Sequence, residues 1–83
     1  MAKILIKPVA TEKALRLLES ENKIAFLVDI RTNKPEIKKE FEKFFNVKVE
    51  NVQTEIRNNS KIAIIKLKKN NPAIDVATKL GLM

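Results

Sequence analysis

The sequence predicts a single α/β (α+β) domain with the order β-α-β-α-β-β-α, a four-stranded, mainly antiparallel sheet with the helices packed on one face. Three observations predict it. Apolar residues recur at helical spacing in two long segments, four other segments are β-branched-rich or alternate, and a short turn cluster joins the last two of those into a hairpin. A chain of 83 residues leaves room for one domain, taken as residues 1–83.

Ile4-Leu5-Ile6 is a short strand flanked by Lys3 and Lys7 and ended by Pro8. Thr11 then reads as an N-cap, with Glu12 well placed in the first turn of a helix. Ala14, Leu15, Leu17 and Leu18 supply its apolar face, and Ser20-Glu21-Asn22 ends it. From Lys23 to Ile30 the chain alternates, with Ile24, Phe26, Val28 and Ile30 on one face of an interior strand. Asn33, Pro35 and Glu36 form a helix start with capping-box spacing. Ile37, Phe41, Phe44 and Phe45 follow on one stripe, which the periodicity assigns to the core.

Val47 to Arg57 is β-like, but its apolar parity slips, and a bulge or late start near Asn51 absorbs the slip. Asn58-Asn59-Ser60 is short enough for a tight hairpin. Lys61 to Leu67 returns, and its run Ile62-Ala63-Ile64-Ile65 predicts a central position in the sheet. Pro72 to Leu80 reads as a short helix with Gly81 as its stop.

Composition narrows the chemistry. Without Cys there is no disulfide or thiolate, and without His no imidazole base near neutral pH. Gly81 is the only glycine, so a Gly-rich phosphate loop is excluded, and no cofactor is expected. No apolar run approaches the roughly 18 residues that span a bilayer, so no membrane insertion is expected. An enzyme would have to be a small acylphosphatase-like hydrolase working without these groups. A basic protein–protein adapter is the other alternative.

Binding fits the inventory better. Lys and Arg number 17 against 10 Asp and Glu, a net charge of +7 that points to a polyanion. Only Arg16, Arg31 and Arg57 are arginines, and lysine contacts phosphate as a point charge where bidentate base readout favours arginine. Shape and backbone recognition follow from that balance. Only Phe26 among the aromatics falls on a predicted strand, so base stacking on strand aromatics is poorly supported.

Three segments carry a family resemblance: Pro8-Val9-Ala10-Thr11-Glu12-Lys13-Ala14, then Asn33 to Lys39 with Phe45 to Thr54, then Ala63-Ile64-Ile65-Lys66-Leu67. In this order and spacing they resemble the large-subunit ribosomal protein family numbered twenty-three. The closing Ala73 to Gly81 is similar to its archaeal and eukaryotic branch. The resemblance implies a cytoplasmic protein, monomeric within the ribosome, bound to 23S-type rRNA beside the polypeptide exit tunnel. It implies ribosomal protein twenty-nine as a neighbour, and docking of the signal recognition particle, the translocon or other tunnel-exit factors. Lys7, Thr11, Lys13, Asn33, Lys34, Lys38, Asn51, Thr54, Arg57, Lys61 and Lys66 are the rRNA-contact candidates it implies, and Glu12 the factor-docking candidate. The family's last strand usually opens with two basic residues where Lys61-Ile62 stands, leaving one cation here. Bacterial members extend the hairpin into the tunnel, and Arg57-Asn58-Asn59-Ser60-Lys61 leaves no room for such an extension.

Overall fold

Capping chemistry decides where the helices begin, and strand register decides what they cover. The computed structural model describes residues 4–81; Lys3, expected beside the first strand, lies outside them. In chain order the elements are β1 (Leu5–Pro8), α1 (Glu12–Glu21), β2 (Lys23–Val28), α2 (Lys34–Phe45), β3 (Val49–Arg57), β4 (Ser60–Leu67) and α3 (Ala73–Lys79). This is the predicted order. The Thr11 Oγ1 accepts from the Ala14 N–H at 3.1 Å at the start of α1. At α2 the capping box is complete: Asn33 Oδ1 accepts from Glu36 N at 3.1 Å, and Glu36 Oε1 accepts from Asn33 N at 3.2 Å.

The sheet order is β1-β2-β4-β3, and every neighbouring pair is antiparallel. The last strand in the chain is therefore an inner one, which accounts for its continuous apolar run. Period-two alternation sends Ile24, Phe26, Val28, Ala63, Ile65 and Leu67 to one face. There they meet Leu18 of α1, Ile37, Phe41 and Phe45 of α2, and Val76 of α3 in one core. Phe26 and Phe41 are wholly buried, and their rings meet edge to face at 5.8 Å. Burying such side chains stabilises the fold by about 1.5–3 kcal/mol each.

The parity slip in β3 is a bulge. Val49 pairs with Leu67 and Asn51 with Lys66, so Glu50 is the extra residue. The Glu42 carboxylate reaches across from α2 and accepts from the Val49 N–H at 2.9 Å. Asn58 and Asn59, with φ of 49° and 63°, form the two-residue turn between β3 and β4. Positive φ at both central positions is the type I′ signature, whose twist matches that of the strands.

Two sequence expectations are corrected. Ile30 does not extend the inward face of β2, because the strand ends at Val28 and Ile30 is 43% exposed. The Arg31 N–H donates to Asp29 Oδ1 at 2.9 Å, and the Thr32 hydroxyl to the Asp29 carbonyl at 2.6 Å, a turn that breaks the alternation. Phe44 is 48% exposed although it belongs to the apolar stripe. The buried row of α2 is Ile37, Phe41 and Phe45, spaced four apart, and Phe44 lies on its flank against the Phe45 ring at 4.9 Å.

Candidate nucleic-acid interface

The alternation that fills the core leaves a second sheet face away from the packed helices. Cross-strand register places Ala25 beside Ile64 and Leu27 beside Ile62, forming an apolar strip across β2 and β4. Lys23 stands beside Lys66 at one end of that strip. Lys7 lies beside Leu27 on the β1 side, and Gln53, Glu55 and Arg57 flank it on β3. Phe26 faces the core, so this face carries none of the four phenylalanines of the chain on its strands. It is a cationic frame around aliphatic side chains.

The candidate residues fall into two groups. Lys7, Asn51, Arg57 and Lys66 stand on the outer face, and Thr11 and Lys13 border it from the start of α1. Two of these cations have carboxylate neighbours: Lys66 Nζ is 3.7 Å from Glu50, and Arg57 Nε is 3.5 Å from Glu55. Both pairs are solvent-exposed, where an ion pair contributes about 0–1 kcal/mol, so phosphate can compete for the cations.

The second group surrounds the start of α2. Asn33 is its cap, Lys34 and Lys38 are exposed on the helix, and Thr54 faces inward opposite Ala63. Lys61 also points to this side, between Val28 and Ile56, and its ammonium donates to the Thr32 carbonyl. Lys34 and Thr54 border a shared depression at the β3 edge. Glu12 is exposed on α1, with Arg16 Nη2 donating to its carboxylate at 3.0 Å. Beside the α2 start, the Arg31 backbone N–H and then its guanidinium hold the Asp29 carboxyl below its ordinary value, and Asp29 raises Arg31 in return.

Sequence reasoning missed the groove between α1 and the outer face. Its floor is Ala25, Ile62 and Ile64, Leu17 forms one wall, and Lys13, Lys23 and Arg57 stand at its rim. Alternation alone places Lys23, Ala25 and Leu27 on one face, but the pairing of β2 with β4 is needed to bring Ile62 and Ile64 alongside. Among the described residues, no group of three or more acidic residues is placed to hold a metal ion, and no helix is long and apolar enough to cross a membrane.

A helix-backed antiparallel sheet with one open, basic face defines the class: a small α+β domain built to lie against a surface. Its relatives make the class specific. The ribosomal protein L23 family profile matches residues 3–75. The large ribosomal subunit protein uL23 of Pyrobaculum aerophilum is 49% identical over 76 residues, covering 90% of this chain and 94% of the relative. The uL23 of Methanothermobacter thermautotrophicus is 41% identical over 80 residues, covering 95% and 93%. The chain belongs to the ribosomal protein L23 family, a structural family and not one of enzymes.

Proposed function

We propose that the chain is a structural constituent of the large ribosomal subunit that binds rRNA through its open sheet face and the adjoining start of α1. One observation carries the reading: Lys7, Lys23, Lys66 and Arg57 frame a face that none of the core-forming helices covers. Lysine and arginine presented on a rigid sheet neutralise phosphate without base readout, as folded RNA requires. The archaeal relatives carry the name of a large-subunit protein, which supports the same assembly here. The protein works in the cytoplasm as part of the ribosome, beside the exit tunnel and next to ribosomal protein twenty-nine. The two-residue Asn58-Asn59 turn keeps the hairpin short, so it lines no part of the tunnel.

Binding of the chain to a large-subunit rRNA transcript, measured across a salt series, tests this reading. Each neutralised phosphate contributes about 0.7–0.9 to the log–log slope. Charge removal at Lys7 or Lys66 lowers that slope. Equal affinity for unrelated RNA, or an affinity indifferent to salt, overturns it.

A second role concerns factors that meet the emerging chain, including the signal recognition particle and the translocon. The Glu12 carboxylate is presented at the exposed start of α1, with an i,i+4 partner on its own helix. Glu12→Lys in assembled subunits weakens targeting-factor binding if this surface is used. Unchanged factor affinity removes the proposal.

A further inference from the structure

The groove between α1 and the outer sheet face combines two chemistries that the charge of the whole protein does not explain. Its volume is about 300 Å³, at the lower end of the roughly 300–1,000 Å³ typical of small-ligand sites. The floor is aliphatic and flat, because Ala25 is the smallest side chain of the strip and lies between Leu17 and Ile64. Ala25 is 4% exposed, so the floor is set deep. The rim holds Lys13, Lys23 and Arg57 against the single carboxylate of Glu55. Lys23 is held by Glu21 at 3.3 Å and Arg57 by Glu55 at 3.5 Å, which positions both cations at the mouth. The Gln53 amide and Thr11 hydroxyl add groups at the mouth that can both donate and accept hydrogen bonds.

An apolar slot beside concentrated positive charge matches one piece of RNA chemistry. An unstacked nucleotide carries a flat base with a phosphate on either side of its ribose, and folded RNA splays such bases out of loops and bulges. We infer that this groove receives a single extruded nucleotide of the bound RNA, its base on Ala25, Ile62 and Ile64 and its phosphates on Lys13, Lys23 and Arg57. Gln53 meets the polar edge of the base. The inference rests on the rRNA reading and makes it more specific: most of the face sees backbone, while this groove sees one base. The base lies on aliphatic side chains and Arg57 instead of an aromatic ring, so contact is by burial and not by ring stacking.

Methyl NMR of the full chain, titrated in parallel with the four ribonucleoside monophosphates and with ribose 5-phosphate, tests the groove directly. At least one nucleotide is expected to move the Ala25, Ile62 and Ile64 methyl signals, and ribose 5-phosphate is not. No movement, or equal movement with ribose 5-phosphate, overturns the inference and leaves the groove to a protein side chain. Ala25→Leu fills the floor without touching a charge. It is expected to weaken binding to the rRNA transcript by about tenfold, the order of one lost base contact. Its salt slope stays that of the wild type, whereas Lys13→Gln lowers the slope by about 0.7–0.9. Wild-type affinity in Ala25→Leu also overturns the inference. Should that variant disturb the packing of α1, the wild-type titration needs no substitution and decides alone. A wild-type chain that fails to bind rRNA defeats the broader reading, while the nucleotide titration still judges the groove separately.

Discussion

Asn22 caps a helix that begins 51 residues later in the chain. Its Oδ1 accepts from the Ala73 N–H at 2.6 Å, supplying the first donor of α3 with a partner that the preceding Pro72 has no side-chain group to offer. The Asn22 Nδ2 donates to the carbonyls of Leu67, Lys68 and Asn71 at 3.1–3.3 Å, and the Asn22 carbonyl accepts from Leu67 N at 3.1 Å. With φ at 56°, Asn22 also takes the left-handed conformation that ends α1. One residue thus closes a helix, joins the β4–α3 loop and opens another helix.

Asn22→Ala loses the cap and leaves carbonyls without their donor, so it is expected to destabilise the domain by about 2–4 kcal/mol. Urea unfolding measures this. Asn22→Gly separates the contributions, because glycine tolerates the left-handed backbone but restores none of the side-chain bonds. A Gly variant as stable as the wild type places the whole effect in the backbone.

The aromatic residues of α2 divide sharply. Phe41→Ala empties a fully buried site and is expected to cost about 3–5 kcal/mol. Phe44→Ala removes a half-exposed ring and is expected to cost under about 1 kcal/mol. Paired denaturation curves check both, and equal losses place Phe44 in the core after all.

The β3–β4 turn sits one residue away from its best sequence. Asn59 takes φ of 63°, which glycine adopts without the steric penalty of a Cβ. Asn59→Gly gives the Asn-Gly pair favoured in type I′ turns and is expected to raise stability by a few tenths of a kcal/mol, of the order of other turn substitutions. Asn59→Ala destabilises by about 1 kcal/mol, the left-handed cost for a residue without a bonding side chain. The order Gly, Asn, Ala in melting temperature is the result to look for.

Asp29 makes the turn before α2 sensitive to acid. Its carboxyl is depressed below the ordinary value of 3.8 by the hydrogen bonds from Arg31. A carboxylate depressed on folding contributes stability that is fully present above its unfolded value and is lost as pH falls through the folded one. The stability difference between wild type and Asp29→Asn therefore persists at neutral pH and shrinks on acidification below the ordinary carboxylate range. A difference that is constant with pH assigns Asp29 no such role.

Legibility followed the range of the forces involved. Ile37 and Phe41 were readable as core because helical spacing is local, and the β3 slip was readable because alternation is local too. Phe44 misled because an apolar stripe is wider than the row that meets a sheet; neighbouring strands, not the helix, choose which edge of the stripe is covered. Ile30 misled because the Asp29 side chain captures the backbone of Arg31 and ends the strand before Ile30 can continue its face. Asn22 looked like an ordinary turn residue, since its partners at Leu67 to Ala73 become neighbours only in the folded sheet. The groove was hidden for the same reason, its floor being drawn from two strands whose register the sequence does not state.

The position of β4 between β2 and β3 bears on how the chain folds as it is made. Synthesis delivers β2 long before Ser60–Leu67, and β3 has no other partner in the sheet order. Until β4 emerges, β1, α1 and β2 have only each other, and α2 has only part of the surface it will cover. The sheet therefore closes in a single late step dominated by contacts between distant parts of the sequence, an arrangement associated with slow, all-or-none folding. A truncation ending before Ser60 should remain without a stable sheet. The last fifth of the chain then completes what the first fifth began, with Asn22 waiting at the corner for Ala73.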